Sequence, residues 1–309
     1  MVVRVAAAVL QKPNGRVLLA QRPPGKPYAG YWEFPGGKLE ANETPRQALD
    51  RELLEELGIV VRRASPWLVQ EFVYPHAHVE LHFFRVFEWD GELASHDGQA
   101  FEWQTPGRYT VAPLLPANTR ILAALDLPLV YGITCAEDSD EDAFLPSAHR
   151  ALEGGLRLVQ VRDKSWPLAR RLALARSLVA RARRFGARVL WNGSVEEAQD
   201  AGCDGVHWPS ALLMTAKSRP AGMLVAASCH TREELARAGE LGVDFAVLGP
   251  VAPTPTHPSA VPLGWEEFSR MAQATRAPLF ALGGLTAADL RTAIDAGGHG
   301  VALRRGAWS

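Results

Sequence analysis

Cysteine is scarce in this chain of 309 residues, which has three: Cys135, Cys203 and Cys229. Their number is odd and no two stand at CxxC spacing, which argues against a disulfide framework and against a cysteine-held zinc site. Net charge is nearly absent, with 33 Lys and Arg against 34 Asp and Glu. No Lys/Arg-rich run stands out, so the electrostatic footprint of a nucleic-acid-binding protein is missing. Long apolar runs are missing too. The N-terminal stretch MVVRVAAAVL is broken at Gln11-Lys12-Pro13, so it reads as a strand entering a hairpin rather than as a signal peptide. Nothing is long enough to span a bilayer. A cytoplasmic protein is the expectation, of unknown oligomeric state. The length suits two ordinary domains, and 47% hydrophobic residues suit packed cores.

What the chain does have is a concentrated acidic segment, GKLEANETPRQALDRELLEELGI, over residues 37–59. Thr44 can cap a helix, Pro45 fits its first position and Gln47 completes a capping box. Leu49, Leu53 and Leu57 give the core stripe, and Gly58 fits the left-handed stop. Beside that stripe Glu52, Glu55 and Glu56 stand at i, i+3 and i+4, within about one turn. Crowding like charges costs stability unless cations bind between them, and all-oxygen ligands suit Mg²⁺ or Mn²⁺. The alternative is a solvated acidic face.

The rhythm of the chain changes near Leu125-Asp126-Leu127-Pro128, the best linker candidate, giving expected domains 1–126 and 127–309. Before it, Val3–Leu10 and Val17–Gln21 flank the turn Pro13-Asn14-Gly15, Trp67–Tyr74 and Val79–Trp89 alternate like hairpin strands, and Ala117–Leu125 reads as a closing helix. His76, His78 and His82 would share one face of such a strand, toward solvent or a pocket. After it, short apolar runs recur at Leu129–Thr134, Leu156–Val161, Arg188–Trp191, Gly205–His207, Leu224–Ser228, Phe245–Leu248, Leu279–Leu282 and Gly300–Leu303. Helical patterns at Pro167–Phe185, Arg232–Leu241 and Ala287–Ala296 lie between some of them. Eight strands with intervening helices predict a closed (β/α)₈ barrel with its site at the C-terminal strand ends and a vestigial last helix.

The acidic segment resembles the Nudix box, from Gly37 through Glu43 and Arg51-Glu52-Leu53 to Glu55-Glu56 and Gly58-Ile59. Over residues 3–125 the likeness extends to the MutT group, carried by Trp32-Glu33-Phe34-Pro35-Gly36-Gly37, Arg22 and Asn118. The resemblance implies an α/β/α Nudix sandwich that hydrolyses nucleoside triphosphates, preferring 8-oxo-dGTP, to a monophosphate and pyrophosphate. It implies a divalent cation held by Glu52, Glu55, Glu56 and the Gly36 carbonyl, with Asp97 as a further acid. Arg51 would tie Glu43 or a catalytic glutamate in place. Arg22, Glu33, Phe34 and Asn118 would form the nucleotide pocket, where an amide can offer donor and acceptor to the oxidised edge. By their residue types alone, Asp97 could equally be a turn residue and Asn118 a helix cap.

Residues 128–305 resemble thiamine-phosphate synthase and its relative the thiazole tautomerase. Gln160-Val161-Arg162-Asp163-Lys164, Asn192, Gly205-Val206-His207, Ser228-Cys229-His230, Thr254-Pro255-Thr256 and Gly283-Gly284-Leu285 carry the likeness. Gly283-Gly284 would cradle a phosphate with backbone N–H groups. The departures are Gly193 and Leu212 where the synthase has Mg²⁺-holding aspartates, Ser194 for an arginine, and His257 for a lysine. Ordinary synthase activity is therefore not expected. Three readings stay open: a tautomerase-like enzyme using His230 as acid–base group, a module binding a phosphorylated ligand through Gln160, Arg162, Lys164, Asn192 and Gly283-Gly284, and a purely structural barrel. A sensor role for the barrel, or a thiamine-pathway diphosphate as the Nudix substrate, are the further alternatives.

Overall fold

The computed structural model describes every residue except Met1, Asp97, Thr256, His257, Pro258, Ala274 and Ser309. The chain divides into two compact units, Met1–Asp126 and Leu127–Ser309. Leu125 belongs to the core of the first and Leu127 to that of the second.

In the first unit the elements run β1 (Val2–Leu10), β2 (Val17–Gln21), β3 (Trp32–Glu33), β4 (Gly36–Lys38), α1 (Pro45–Leu57), β5 (Val60–Tyr74), β6 (Ala77–Asp90), β7 (Phe101–Gln104) and α2 (Thr119–Leu125). They build a mixed sheet in the order β4-β1-β6-β5 and an antiparallel one in the order β3-β2-β7. Alternation along β1 explains the layering: Ala6, Ala8 and Leu10 pack on the Leu49, Leu53 and Leu57 stripe of α1, while Ala7 and Val9 share a core with Ile121 and Leu122 of α2. The result is an α/β/α sandwich.

Two expectations need correction. The hairpin after β1 closes only at its tip, where Lys12 N donates to Arg16 O at 2.9 Å; β1 and β2 then part into different sheets, and β1 pairs parallel with β6. The expected helix from Ala117 starts as a short 3₁₀ turn over Pro116–Asn118 before α2.

In the second unit eight parallel strands close a barrel: β8 (Val130–Ile133), β9 (Leu158–Val161), β10 (Arg188–Asn192), β11 (Gly205–Trp208), β12 (Leu224–Cys229), β13 (Phe245–Leu248), β14 (Leu279–Leu282) and β15 (Gly300–Leu303). The helices α3 (Glu141–Glu153), α4 (Leu168–Arg183), α5 (Val195–Asp200), α6 (Ser210–Thr215), α7 (Arg232–Leu241), α8 (Gly264–Ala272) and α9 (Leu290–Asp295) alternate with them. Among the described residues only the one-turn 3₁₀ segment Arg305–Ala307 follows β15, and it is anchored where Trp308 Nε1 donates to Ile133 O at 2.8 Å. Tyr131, Phe245 and Phe280 fill the barrel interior, with Tyr131 and Phe245 edge to face at 5.1 Å.

Candidate functional site

Helix α1 is set by its ends. The Thr44 side chain accepts from Gln47 N, the Gln47 side chain returns the bond to Thr44 N at 2.9 Å, and Gly58 stops the helix at φ 68°. With the leucine stripe locked into the core, Glu52 and Glu56 are brought against Gly36 and Gly37. A Cβ at Gly36 would come to 2.1 Å from Ala6 O, and one at Gly37 to 2.2 Å from the Glu52 carboxylate. Gly36, at φ 138° against the Ala6 backbone, is therefore demanded by the fold, while Gly37 leaves room for the Glu52 carboxylate.

Arg51 holds this acidic face together. It donates to Glu43 at 3.0 and 2.9 Å, to Glu52 at 2.9 Å, to Glu55 at 3.2 Å and to Lys38 O at 3.0 Å. That bond network holds the Glu43 carboxyl below its usual range. Glu56 has no arginine bonded to it. Burial first, and the Glu52 charge second, push its carboxyl up to about 7, against the Lys26 charge and one long bond from Gly36 N at 3.3 Å. Negative charge without enough compensation, supplied by oxygens alone, fits a hard divalent cation. The free arrangement is not a finished cage: among the described residues no three His, Cys, Asp or Glu converge as metal ligands, and the Glu55 side chain is 61% exposed.

A cavity of about 510 Å³ opens from Glu52 and Glu56 across the sheet edge. Arg22 reaches both oxygens of Glu33 at 2.6 and 2.5 Å and donates to Pro27 O at 2.8 Å. Burial raises the Glu33 carboxyl all the same, although Arg22 and Lys26 pull it down. Phe34, expected in the pocket, is a core residue instead: it is buried edge to face against Phe83 at 5.8 Å and does not line the cavity. Asn118 does not line the cavity either; it is 2% exposed, makes no side-chain capping bond, and leaves Nδ2 without a partner one turn from the cavity-lining Leu115. The helix-cap alternative for it fails.

The histidine expectation needs correction as well. His76 lies outside β6, stacks on Tyr74 and lines the cavity. His78 and His82 sit on the other face of β6, held by Glu71 at 3.3 Å and Glu80 at 2.8 Å. Asp97 lies outside the described residues. Sequence reasoning passed over Gln99, which is 7% exposed, lines the cavity and leaves Nε2 unpartnered.

In the second unit a cavity of about 370 Å³ lies at the C-terminal strand ends. Gln160, Arg162, Lys164, His230, Gly283 and Gly284 all line it. Asn192 does not; it is 5% exposed and its Nδ2 donates to His207 O at 3.4 Å, tying β10 to β11. His230 Nδ1 meets Gly249 O at 2.7 Å, so that nitrogen carries the proton and Nε2 is the free one. Further contributors were not singled out as site residues from the sequence. A hydrogen-bond chain crosses the barrel from Tyr131 Oη to His207 Nδ1 at 3.1 Å and from His207 Nε2 to Ser228 Oγ at 2.8 Å. Burial, with Arg162 and Lys164 nearby, drives the His207 pKa down to about 3, so the ring is neutral. Arg304 and Arg305 follow β15, a position the barrel rule would have flagged.

Comparison with known proteins now bears on both units. Residues 1–125 match the NUDIX domain model and residues 130–307 the thiamine monophosphate synthase model. The 8-oxo-dGTP diphosphatase of Haemophilus influenzae is 38% identical over 124 residues, 40% of this chain and 91% of the relative. The CTP pyrophosphohydrolase of Escherichia coli is 41% identical over 128 residues, 40% of this chain and 90% of the relative. The thiamine-phosphate synthase of Thiobacillus denitrificans is 37% identical over 179 residues, 56% of this chain and 84% of the relative. The chain belongs to the Nudix and thiamine monophosphate synthase families. Its Nudix domain is a nucleotide diphosphatase, of a family that uses divalent metal ions. No helix among the described residues is long and apolar enough to cross a membrane.

The synthase-family barrel does not fit the metal of that family. A Cβ at Gly193, whose φ is 159°, would meet Glu197 Oε2 at 2.5 Å and Trp191 Nε1 at 2.6 Å, so the space for an aspartate is filled. Glu197 is no substitute, because it accepts from Trp191 Nε1 at 2.8 Å and Ser194 N at 3.1 Å. Leu212 is 39% exposed on α6 and does not line the cavity.

Proposed function

We propose that the Nudix domain, residues 1–126, is a Mg²⁺- or Mn²⁺-dependent diphosphatase that prefers 8-oxo-dGTP, joined to a barrel, residues 127–309, that binds a phosphorylated small molecule without acting as a synthase. The observation that carries the substrate choice is the buried amide of Asn118, whose donor is unspent and whose side chain caps nothing. An unpaired buried donor costs on the order of 1–3 kcal/mol, recovered only by a ligand offering the matching acceptor. A base edge altered by oxidation presents a different set of donors and acceptors from unmodified guanine, and a site of polar pairs rejects the edge that leaves its own groups unmet.

Glu52, Glu55 and Glu56, with the Gly36 carbonyl and Asp97, would hold the cation. When bound, it supplies neutralisation of the triphosphate and polarisation of its phosphorus–oxygen bonds. The chain's own part is positional: Arg51 fixes the spacing of Glu43, Glu52 and Glu55, and Lys26 and Lys38 add positive charge to the cavity wall. Water attacks the β-phosphorus, the bond from that phosphorus to the bridging oxygen breaks, and nucleoside monophosphate and pyrophosphate leave.

The test is kcat/KM for 8-oxo-dGTP, dGTP, CTP and thiamine-pathway diphosphates, in wild type and Asn118→Ala. The ratio of 8-oxo-dGTP to dGTP should fall roughly tenfold to hundredfold in the variant. An unchanged ratio removes Asn118 from base reading. The similarity to the CTP pyrophosphohydrolase motivates a second reading, and a wild-type efficiency highest on CTP would replace the first.

A further inference from the structure

The barrel cavity is divided by strand order. Gly283-Gly284 follow β14, Arg304 and Arg305 follow β15, and Arg162 and Lys164 follow β9, all on the contiguous arc β14-β15-β8-β9. The facing arc contributes His207 from β11, Ser228 from β12 and His230 just beyond it, and none of these is a lysine or arginine. No acid lines the cavity among the described residues.

The carboxylates bonded to or near its lining residues are spent internally, among them Glu234, which accepts from Ser210 Oγ and His230 N. Glu137 binds Arg304 at 3.0 Å and Ser165 N at 2.8 Å, and Asp138 binds Arg304 at 2.7 Å and Arg305 at 3.1 Å. Asp163 is fully buried, accepting from Thr134 Oγ1 and from Glu137 N at 2.9 Å. The cations are crowded by comparison. Burial and Arg304 lower the pKa of Arg162, and burial and Arg162 lower that of Lys164. Gln160, 1% exposed, lines the same arc with its amide directed at the Tyr131 hydroxyl.

We infer that the barrel takes its anion free of any divalent cation: Arg162 and Lys164 meet the charge directly, with the Asp138-bound Arg305 beside them, and no acid among the described residues lines the cavity to hold a bridging metal. This rests on the anion-binding reading of the barrel proposed above and departs from the metal-held diphosphate of the synthase family. The ligand class is a small phosphate or diphosphate ester whose neutral polar body faces Ser228 and His230. In such a site Mg²⁺ competes with the protein for the anion instead of bridging the two, so its effect on affinity has the opposite sign.

The experiment is titration calorimetry of the full chain with inorganic pyrophosphate, once in EDTA and once in excess Mg²⁺. Parallel titrations use the Arg162→Met/Lys164→Met double variant and Arg305→Met. Nucleotide hydrolysis by the Nudix domain serves as the folding control, since none of these residues belongs to it. In EDTA, one binding event should be lost in the double variant and weakened about tenfold in Arg305→Met, as expected for a lost charge-assisted bond. Excess Mg²⁺ should weaken that event about tenfold or more. An event of unchanged or tighter affinity in Mg²⁺ overturns metal independence while leaving anion binding intact. If neither buffer gives an event sensitive to the double variant, the anion-binding reading itself falls, and this inference with it.

Discussion

The two cavities of this chain carry opposite charge problems. In the Nudix domain Glu52 and Glu56 face one another with too little positive charge between them, and the Glu56 carboxyl rises to about 7. In the barrel, burial first and the charges of Arg162 and Lys164 second drive the His207 pKa down to about 3. Each site spends its opposite charges elsewhere. Arg51 is bound to Glu43, Glu52 and Glu55 and leaves Glu56 alone; Glu137 and Asp138 are bound to Arg304 and leave Arg162 and Lys164 alone. A protein gains nothing in stability from such arrangements. The difference between them therefore identifies what each cavity lacks: a cation in the first, an anion in the second.

The sharpest way to break the comparison is to remove the negative charge. Glu52→Gln and Glu56→Gln should each cut metal-supported nucleotide turnover by about 10²–10³-fold, because charge stabilisation acts mainly on the transition state. Neither should alter pyrophosphate binding assigned to the barrel. Steady-state rates alongside the calorimetry above check both halves, and wild-type turnover in both variants would refute the metal site.

A smaller effect comes from pH, and its sign differs between the domains. Glu56 titrates higher in the folded state than the ordinary 4.5, so its contribution to stability is complete below pH 4.5 and is lost as pH rises through about 7. His207 titrates lower than the ordinary 6.5, so its contribution is complete above pH 6.5 and is lost as pH falls toward about 3. Scanning calorimetry in EDTA should show Glu56→Gln flattening the loss between pH 5 and 7 in one unit, by on the order of 2–3 kcal/mol. His207→Gln should flatten the loss on the acid side in the other. Parallel pH slopes for wild type and either variant would remove that group from the comparison.

Much of this was legible in sequence, for reasons of distance along the chain. Thr44, Gln47, Gly58 and the glutamates act within one helix, so their spacing alone defines the geometry that the capping bonds and the φ of Gly58 display. Barrel strands carry their own apolar signature, and all eight were found. What local pattern could not convey were choices made between distant segments. The partition of β1 and β2 into separate sheets depends on β6 slotting beside β1 from 76 residues away, as in the Val2–His78 pairing. Whether Phe34 faces pocket or core depends on Phe83. The Tyr131–His207–Ser228 chain joins three strands, and no motif spans them. Glu55 was placed with its neighbours by helical spacing, yet its side chain is 61% exposed even with its bond to Arg51 at 3.2 Å.

The smallest predicted effect is also the one that best separates binding from folding. Gln99 is buried at the nucleotide cavity with Nε2 unspent. In the free protein that donor is a liability, so Gln99→Leu should leave the Nudix domain as stable or slightly more stable, by up to about 1 kcal/mol. With nucleotide present the donor finds its acceptor, so the same change should raise KM roughly three- to tenfold with kcat little altered, the pattern of lost uniform binding. Thermal melts and steady-state kinetics on one preparation read the two signs together. If Gln99→Leu destabilises the domain and leaves KM untouched, the amide serves the fold and not the ligand, and Arg22 and Glu33 remain as the polar wall of the nucleotide cavity.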